Sequence, residues 1–477
     1  MQSAIHVVKS LNDNIDIVYL LDKPENSAKT CTEKEQAYLS STFDRGEDIA
    51  VINQYNRFLF FVNNPKEEIS YKRQELYRKK GYEIAKHIQK ENIAHVQIAA
   101  PALELADILS FTEGFLLSCY QFLKYKSTKK EYALKTLSLF HPLLTKALIQ
   151  ELENIVEGTF LARDLVNEPA IFLSAEQLSQ AMVVAGKEAG FHVEVLNKLK
   201  IKSLKMGGLL AVNSGSIQPP TFSILEYRPE NAVNSKPYML VGKGVVYDTG
   251  GLSLKPTPNS MDMMKSDMAG AAAVTGAMYA IAKNKLPVNV IGLIPATDNR
   301  PGGNAITPGD VITIFGGKTV EILNTDAEGR LILADALVYA QKYEPEIVID
   351  LATLTGAAAK AIGKEGMVMM GNAREHWKNA LKKAGNSTYE RLVEFPLWEE
   401  YEKQLESEIA DINNLGGSTA GAITAGLFLQ HFTDYEWIHL DIAGPAFISS
   451  HDNYRGKHAT GVGVRLLYNF VKSLSQK

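Results

Sequence analysis

The chain has 477 residues, of which 45% are hydrophobic, and this length predicts two or three domains, of which we expect two. A formal net charge of -4 excludes a global basic field, so nucleic acid is not the expected partner. Cys31 and Cys119 lack metal-binding spacing, which indicates a reducing compartment without a disulfide framework. The N-terminus lacks a basic stretch followed by an apolar region, and no apolar run reaches the roughly 18 residues of a membrane-spanning helix. We therefore expect a soluble, cytoplasmic protein with no membrane partner.

The first part of the chain predicts a small α/β domain. Residues 15–21 and 58–62 are apolar and β-rich, and 66–90 mixes apolar and charged residues as an amphipathic helix does. Residues 143–166 have apolar positions three and four apart, which predicts a long helix that Pro169 ends. This helix is interpreted as the connector between two domains.

The rest of the chain predicts a larger α/β domain. Short apolar runs alternate with helical segments, as a mostly parallel sheet covered on both faces requires. These runs are residues 238–241, 288–294, 311–314 and 346–351. The predicted fold class is α/β with two domains, a smaller mixed N-terminal domain and a larger domain whose mostly parallel central sheet is covered by helices. The predicted boundaries are 1–140 for the N-terminal domain, 141–168 for the helical connector and 169–477 for the larger domain.

The run from Asn324 to Arg330 reads Asn-Thr-Asp-Ala-Glu-Gly-Arg and is the most informative part of the chain. Asp326 and Glu328 are two residues apart, which places both side chains on one face of an extended chain. The helical pattern of residues 331–340 follows, so the cluster is predicted at a strand end, in a strand-to-helix loop where open α/β sheets usually bind ligands. The alternative is that one carboxylate only caps the helix, which leaves the other carboxylate and Arg330 unexplained.

A second charged segment lies upstream, and it supplies Lys243, Asp248, Lys255 and Asp267. Asp248 opens a turn whose two glycines permit a sharp reversal at the end of a predicted strand. Asp267 precedes residues 268–283, a run of small residues that suits a helix packed closely against other backbone. The alternative for Asp267 is a role as the N-cap of that helix.

Together the two segments offer four carboxylates and three cations without a histidine, which indicates a metal site. Oxygen ligands suit Mg²⁺ or Mn²⁺, while zinc also accepts carboxylates and a neutral amine nitrogen. Lys243 would bind metal only as the free amine, for which an adjacent divalent cation would lower its pKa; otherwise it is a salt-bridge lysine. Two metals about 3.5–4 Å apart can activate a water and polarise a carbonyl, as in some hydrolases. Lys255 and Arg330 would then stabilise developing negative charge.

Other motifs give weaker indications. Residues 316–319 resemble the end of a phosphate-binding loop, but Ile312 stands where that loop needs a glycine. His439 lies in an apolar run, and this position favours a satisfied core histidine over a catalytic one.

On these residues the chain resembles the leucyl aminopeptidase family, the cytosolic two-metal aminopeptidases, whose hallmark is the run from Asn324 to Arg330. The similarity extends from about residue 161 to residue 465, and the N-terminal part matches only in general character. Further matching runs are residues 162–169, 241–273, 353–356 and 439–444. The resemblance implies a small N-terminal α/β domain, a helical connector and a catalytic α/β domain, assembled as a homohexamer whose sites face an interior cavity.

The resemblance also implies roles for the charged residues. Lys243, Asp248, Asp267 and Glu328 would hold a tightly bound metal ion. Asp248, Asp326 and Glu328 would hold a more exchangeable one, so that Asp248 and Glu328 bridge. The two ions are expected to be Zn²⁺ or Mn²⁺. Of the catalytic groups, Lys255 would polarise the substrate carbonyl, and Arg330 would hold a bicarbonate ion that acts as general base toward the bridging water.

The implied activity is removal of N-terminal residues, especially leucine-like ones, from short peptides and aminoacyl amides. Met264, Thr353 and Gly356 match positions that line the pocket for the N-terminal side chain, and Leu354 contributes backbone contacts nearby. The loop 256–266 is one residue longer than in the better-known members of the family, which affects the expected substrate preference. Two other hypotheses are architectural or regulatory DNA binding, which the acidic charge disfavours, and a catalytically silent relative, which the complete ligand set disfavours.

Overall fold

The computed structural model describes residues 4–23 and 31–475, which form two compact units. The first unit comprises the residues up to Glu157 together with His451–Gly456, and the second comprises Gly158–Ser450 together with the residues from Lys457 onward. The domain boundaries given above, at residues 140 and 168, remain a prediction. Cys31 and Cys119 do not form a disulfide with each other.

The first unit is built on a six-stranded sheet in the order β1-β6-β5-β2-β4-β3, in which only β3 and β4 pair antiparallel. Its elements are β1 Ala4–Val7, β2 Asp16–Leu20, α1 Glu33–Asp44, β3 Ile49–Asn53, β4 Phe58–Val62, α2 Ser70–Lys90, β5 His95–Ala99, α3 Leu105–Leu117 and β6 Thr136–Phe140. The apolar run 58–62 forms β4, and Leu59–Val62 are buried because both faces of this strand are covered. The amphipathic run 66–90 becomes α2, which starts four residues later than predicted.

The long helix predicted over residues 143–166 is present as α4, Lys146–Asn167. It ends two residues before Pro169, in agreement with the restriction that proline places on the residue before it. No helix among residues 4–23 and 31–475 is long and apolar enough to cross a bilayer.

The second unit contains the larger sheet. Its helices are α5 Ala175–Ala189, α6 Lys198–Leu204, α7 Gly207–Asn213, α8 Ala269–Lys283, α9 Gly329–Ala340, α10 Gly356–Ile362, α11 Glu375–Thr388, α12 Gly421–Gln430 and α13 Val464–Leu474. The strands that follow β6 are β7 His192–Leu196, β8 Thr221–Tyr227, β9 Tyr238–Gly242, β10 Gly244–Asp248, β11 Val290–Asn299, β12 Val311–Thr313, β13 Thr319–Glu321, β14 Ile347–Ala352, β15 Met367–Met370, β16 Leu392–Glu394, β17 Ile412–Asn413, β18 Trp437–Asp441, β19 Phe447–Asp452 and β20 Gly456–Ala459.

The main sheet has the order β16-β15-β18-β14-β9-β11-β8-β7, and β10 pairs with β11 off this path. Its centre is parallel, since β14 pairs parallel with β18 and β9, and β11 pairs parallel with β9 and β10. Every residue of β9, β11, β14 and β18 is buried, as expected of strands covered by helices on both faces. The predicted fold class, α/β with a mostly parallel central sheet, is confirmed.

One predicted strand lies elsewhere. Residues 311–314 were assigned to the parallel sheet, but β12 belongs to a separate three-stranded sheet in the order β12-β13-β17, where it pairs antiparallel with β13. Val311 and Thr313 are exposed, which the short apolar run did not reveal. This small sheet leads directly into the segment that carries Asp326 and Glu328.

Candidate active site

The charged residues predicted from the sequence gather at the carboxyl edge of the main sheet. Lys243 connects β9 to β10, and Asp248 is the last residue of β10. Asp267 lies two residues before the start of α8, and Glu328 immediately precedes α9. Because the central strands are parallel, their carboxyl ends meet at one edge, where ligand sites of α/β sheets form.

Lys243 is the buried centre of one half of the cluster. Its Nζ lies 2.7 Å from Asp267 Oδ1 and 2.9 Å from Glu328 Oε1, and it donates a hydrogen bond of 2.9 Å to Thr353 O. Thr353 Oγ1 in turn donates to Asp267 Oδ1 at 2.8 Å. Burial disfavours charge on the Lys243 amine, but Asp267, Glu328 and Asp248 outweigh it and raise the pKa of Lys243. Among protein groups alone, this lysine is therefore a cation that neutralises the carboxylates.

In the more open half of the cluster, Lys255 is the cation that neutralises the carboxylates. Its Nζ lies 2.9 Å from Asp248 Oδ2 and 2.5 Å from Asp326 Oδ1. The side chain of Asp326 is 31% exposed, whereas that of Asp248 is 3% exposed. Burial and the neighbouring Glu328 charge raise the pKa of Asp248 to about 7, against the opposing effect of Lys255. The half with Asp326 is therefore the one that solvent and a substrate reach.

The two halves meet through shared carboxylates. Asp248, Asp326 and Glu328 each offer one oxygen, and these three oxygens lie within 4.8 Å of one another. The capping alternatives fail, because Glu328 makes no side-chain cap hydrogen bond to α9 and the N-cap of α8 is Met268. The carboxylate of Asp267 is directed to Lys243 and Thr353.

The cluster fits divalent metal ions because it contains buried carboxylate oxygens that lack a hydrogen-bond donor among the described residues. Asp267 Oδ2 and Glu328 Oε2 are buried, and no residue in the described part of the chain donates a hydrogen bond to them. Buried carboxylate oxygens normally have a partner, and four carboxylates in one buried place need positive charge beyond two lysines. Carboxylate oxygens with one amine nitrogen form a donor set that both manganese and zinc accept.

The local conformation around Asp326 differs from the predicted extended chain. Residues 324–327 form a turn, in which Ala327 N donates to Asn324 O at 3.3 Å and Asp326 N donates to Asn324 Oδ1 at 2.7 Å. Glu328 already has helical dihedral angles, φ -75° and ψ -36°. The segment is a strand-to-helix connection as predicted, but its carboxylates converge because the turn curls and not because they alternate along a strand.

Arg330 is a buried cation in the first turn of α9. It is 7% exposed, and its Nε and Nη1 atoms have no hydrogen-bond acceptor among residues 4–23 and 31–475. Its guanidinium carbon lies 5.7 Å from the centre of the Phe428 ring. Burial lowers the pKa of Arg330 to about 10, so it stays protonated at neutral pH. Buried donors normally have an acceptor, so the Nε and Nη1 atoms of Arg330 fit a bound anion from outside the described part of the chain.

Of the residues predicted to line the substrate pocket, Thr353 contacts the cluster, and the other three lie within three residues of Asp267 or Thr353 along the chain. Met264 lies in the 3-10 turn Met261–Ser266, whose end reaches Asp267. Leu354 N donates to Asp441 Oδ1 at 3.2 Å, which fixes the backbone that follows β14. Gly356 begins α10, and a Cβ added there would meet nothing within 4 Å, so this position borders open space. Thr353 holds the charged cluster directly, a role that the sequence did not indicate.

Sequence reasoning missed several residues that support the cluster. Asn299, at the end of β11, donates from Nδ2 to Asp248 Oδ1 at 2.8 Å. Asn414 is fully buried and holds the backbone ahead of the motif, since its Oδ1 accepts from Leu323 N and its Nδ2 donates to Asn324 O, both at 2.8 Å. For Asn299 the available signal was an amide side chain directly after an apolar run, because a polar residue at the end of a buried strand needs a ligand or a side-chain partner.

His439 belongs to a buried network next to this site. Its Nδ1 lies 2.6 Å from Asp350 Oδ1, while Asp350 Oδ2 accepts from Trp437 Nε1 at 2.7 Å. Its Nε2 is buried and has no hydrogen-bond partner in the described part of the chain. The expectation of a satisfied core histidine therefore holds for one ring nitrogen and not for the other.

The chain is similar to known proteins in sequence and in fold. Residues 160–468 match the family described as "Cytosol aminopeptidase family, catalytic domain". A "Probable cytosol aminopeptidase" of Chlorobium limicola is 48% identical over 383 residues, which cover 77% of this chain and 75% of that protein. A protein of the same description from Syntrophotalea carbinolica is 44% identical over 409 residues, which cover 83% of this chain and 82% of the relative.

Two solved structures share the whole fold. The bottromycin maturation enzyme BotP in complex with Mn is 28% identical with a TM-score of 0.85, over 97% of this chain and all of that one. A mutant of tomato leucine aminopeptidase is 27% identical with a TM-score of 0.87, over 99% of this chain and 96% of that chain. Because the similarity in fold covers nearly the full length, it includes the N-terminal part, for which no sequence motif was found.

Proposed function

The chain belongs to the cytosol aminopeptidase family, and we propose that it removes N-terminal leucine-like residues from short peptides at a two-metal centre formed by the cluster described above. Membership of the family makes the chain a metal-dependent hydrolase of the leucyl aminopeptidase type, with peptides as substrates. The observation that carries the finer proposal is the convergence of three carboxylate oxygens within 4.8 Å, next to a lysine that contacts two buried carboxylates.

In this proposal the buried half of the cluster is the tighter metal site, held by Lys243, Asp248, Asp267 and Glu328. The more open half, Asp248, Asp326 and Glu328, holds the exchangeable ion, because the Asp326 side chain is ten times more exposed than that of Asp248. Zn²⁺ or Mn²⁺ are the ions expected. When bound, such a pair supplies an activated water and an electrophilic pull on the carbonyl oxygen.

The roles of the remaining cations follow from where they lie. Lys255 contacts the carboxylates of the open half. From this position its ammonium group would stabilise the negative charge that develops on the carbonyl oxygen of the substrate. Arg330 would hold a bicarbonate ion, which would supply the general base for the attacking water. Among the described residues, Arg330 has two nitrogens without an acceptor and the cluster has no histidine, and both observations support this role.

The preference for leucine-like residues rests on the pocket positions Met264, Thr353, Leu354 and Gly356. Open space beside Gly356 leaves room for an apolar side chain. We also propose assembly as a homohexamer and a cytoplasmic location, both by resemblance to the family. Size-exclusion chromatography with light scattering tests the hexamer. The relatives and the site offer nothing in favour of the DNA-binding alternative, which is therefore not proposed.

The decisive experiment strips the protein of metal and restores it with zinc, manganese, cobalt or magnesium before assay on a panel of aminoacyl amides. Leucine amide hydrolysis should return with zinc or manganese and should exceed that of charged aminoacyl amides. Asp326→Ala should abolish hydrolysis in a folded protein, whereas Asp310→Ala, a change at a half-buried aspartate that accepts from Thr307 N, should not. Full leucine amide hydrolysis by Asp326→Ala would refute the assignment.

A further inference from the structure

Asn299 occupies an unusual position for an amide side chain. It is the last residue of β11, a strand of ten residues that is buried throughout, and Asn299 itself is 3% exposed. The parallel pairing of β10 with β11 places Asp248 opposite Asn299. The ends of the two strands therefore bring an amide against one of the proposed metal ligands.

The amide nitrogen of Asn299 joins the two sequence segments of the site. Nδ2 donates to Asp248 Oδ1 at 2.8 Å and to Thr325 O, within the Asn324–Arg330 motif, at 2.9 Å. Both partners are acceptors, so the nitrogen and not the oxygen of the amide must face them. The backbone oxygen of Asn299 accepts from Thr249 N at 3.0 Å and from Thr249 Oγ1 at 2.9 Å, which fixes the turn after Asp248.

These bonds determine which oxygen Asp248 presents. Its Oδ1 accepts from Gly250 N at 2.8 Å in addition to Asn299 Nδ2, so its lone pairs are engaged on the protein side. Its Oδ2 faces the cluster and lies 2.9 Å from Lys255 Nζ. Asp248 is thus held with one oxygen tied to the scaffold and one oxygen offered to the site.

We propose that Asn299 is a positioning residue, which sets the Asp248 carboxylate and the Asn324–Arg330 turn at a fixed separation and thereby determines the metal affinity of the centre. This inference rests on the proposed function, because it assumes that Asp248 is a metal ligand. Groups that orient metal ligands from behind typically contribute 10- to 100-fold in metal affinity or activity. Asn299 acts on two parts of the ligand set at once.

The test is Asn299→Leu, which keeps the size of the side chain and removes its donor. Asn213→Leu is the matched control, since Asn213 is 1% exposed and also donates from Nδ2 to a backbone oxygen and a side-chain oxygen, those of Gln218 and Thr297. The dissociation constant for Mn²⁺ is measured by isothermal titration on metal-stripped protein, together with thermal melting. Asn299→Leu should weaken Mn²⁺ binding about 10- to 100-fold. Asn213→Leu should lower the melting temperature and leave Mn²⁺ affinity within about twofold of the wild type.

The activity of the same proteins separates positioning from general destabilisation. Excess Mn²⁺ should restore most of the leucine amide hydrolysis of Asn299→Leu, whereas Asp248→Ala should stay inactive at every Mn²⁺ concentration. If Asn299→Leu binds Mn²⁺ as tightly as Asn213→Leu does, the inference is wrong and the proposed function stands. If wild-type protein binds neither Mn²⁺ nor Zn²⁺, the proposed function itself fails. Should Asn299→Leu not fold, the pair Asn299→Ser and Asn213→Ser is compared with the same expectations.

Discussion

Gly329, between Glu328 and Arg330, is the residue whose replacement tests the packing of the site most directly. It begins α9, and a Cβ built on it would lie 2.5 Å from Lys243 Cε and 2.7 Å from Lys243 Nζ. Carbon atoms in contact are separated by about 3.5–4.0 Å, so Gly329→Ala forces the end of the Lys243 side chain to move by about 1 Å. This side chain is flexible at its far end, and the fold can therefore accept the change.

A displacement of Lys243 Nζ would change its distances to the carboxylates of the proposed metal centre. Lys243 Nζ lies 2.7 Å from Asp267 and 2.9 Å from Glu328, so a movement of about 1 Å separates it from at least one of them. Misplacement of a catalytic constellation by that distance typically costs about 100-fold in rate, which is about 2.7 kcal/mol in activation free energy. Thermal melting reports the stability separately, because the helix gains up to about 1 kcal/mol from alanine over glycine while the disturbed ion pairs of the buried Lys243 oppose this gain.

The assay compares kcat/KM on leucine amide, Mn²⁺ affinity and thermal melting for Gly329→Ala and Gly421→Ala. Gly421 also begins a helix, α12, but a Cβ there would meet only Ala357 Cβ, at an ordinary 3.4 Å. We expect kcat/KM to fall about 100-fold for Gly329→Ala and to change less than twofold for Gly421→Ala. Wild-type kcat/KM and Mn²⁺ affinity in Gly329→Ala would show that Lys243 has no role in the centre.

Three further predictions concern charge, pH and metal. Arg330→Ala should lower kcat/KM less than Asp326→Ala does. It should also abolish any stimulation by added bicarbonate, which steady-state assays of Arg330→Ala and the wild type with and without bicarbonate would reveal. Equal stimulation of Arg330→Ala and the wild type would contradict the proposed anion site. Burial raises the pKa of Asp335 to about 7 from an ordinary 3.8, so the folded state holds a proton between those values that the unfolded chain releases. Its contribution to the free energy of unfolding therefore falls as pH rises through that window, and Asp335→Asn should flatten this slope in urea titrations at pH 5, 6, 7 and 8. Chelation should lower the free energy of unfolding by about 2.7 kcal/mol relative to protein with free metal at a hundred times its dissociation constant; an unchanged urea midpoint would argue against metal binding by the folded state.

The sequence predicted those features that local pattern determines. The apolar run 58–62 has the bounds of β4, and residues 331–340 and 268–283 lie within a residue or two of α9 and α8. The periods of strands and helices are local properties of the sequence, so these elements could be predicted without knowing which elements pack against them. The approximate place of the site also followed, because parallel strands bring their carboxyl ends together.

What the sequence could not give depends on tertiary contacts. A short apolar run such as residues 311–314 does not indicate which sheet it joins, and here it pairs with β13, away from the parallel core. The curl of the turn at Asn324 is set partly by Asn414, which lies 90 residues further along the chain. Asn299 gave no motif at all, since its role consists of two hydrogen bonds to residues 51 and 26 positions away.

The small residues that begin α8 show how such contacts produce the chemistry. A Cβ at Gly270 would lie 2.0 Å from Leu351 O, so the first turn of α8 rests directly on the backbone of β14. Ala271 N donates to Lys243 O at 2.9 Å, and Lys243 N donates to Leu351 O at 3.0 Å, which ties helix, connecting segment and strand together. Asp267 lies just before this turn, and its distance to Lys243 therefore depends on how closely α8 approaches the sheet. A larger residue at position 270 would move the proposed ligand Asp267 without altering any charged side chain, so the proposed metal centre depends on backbone packing as much as on its carboxylates.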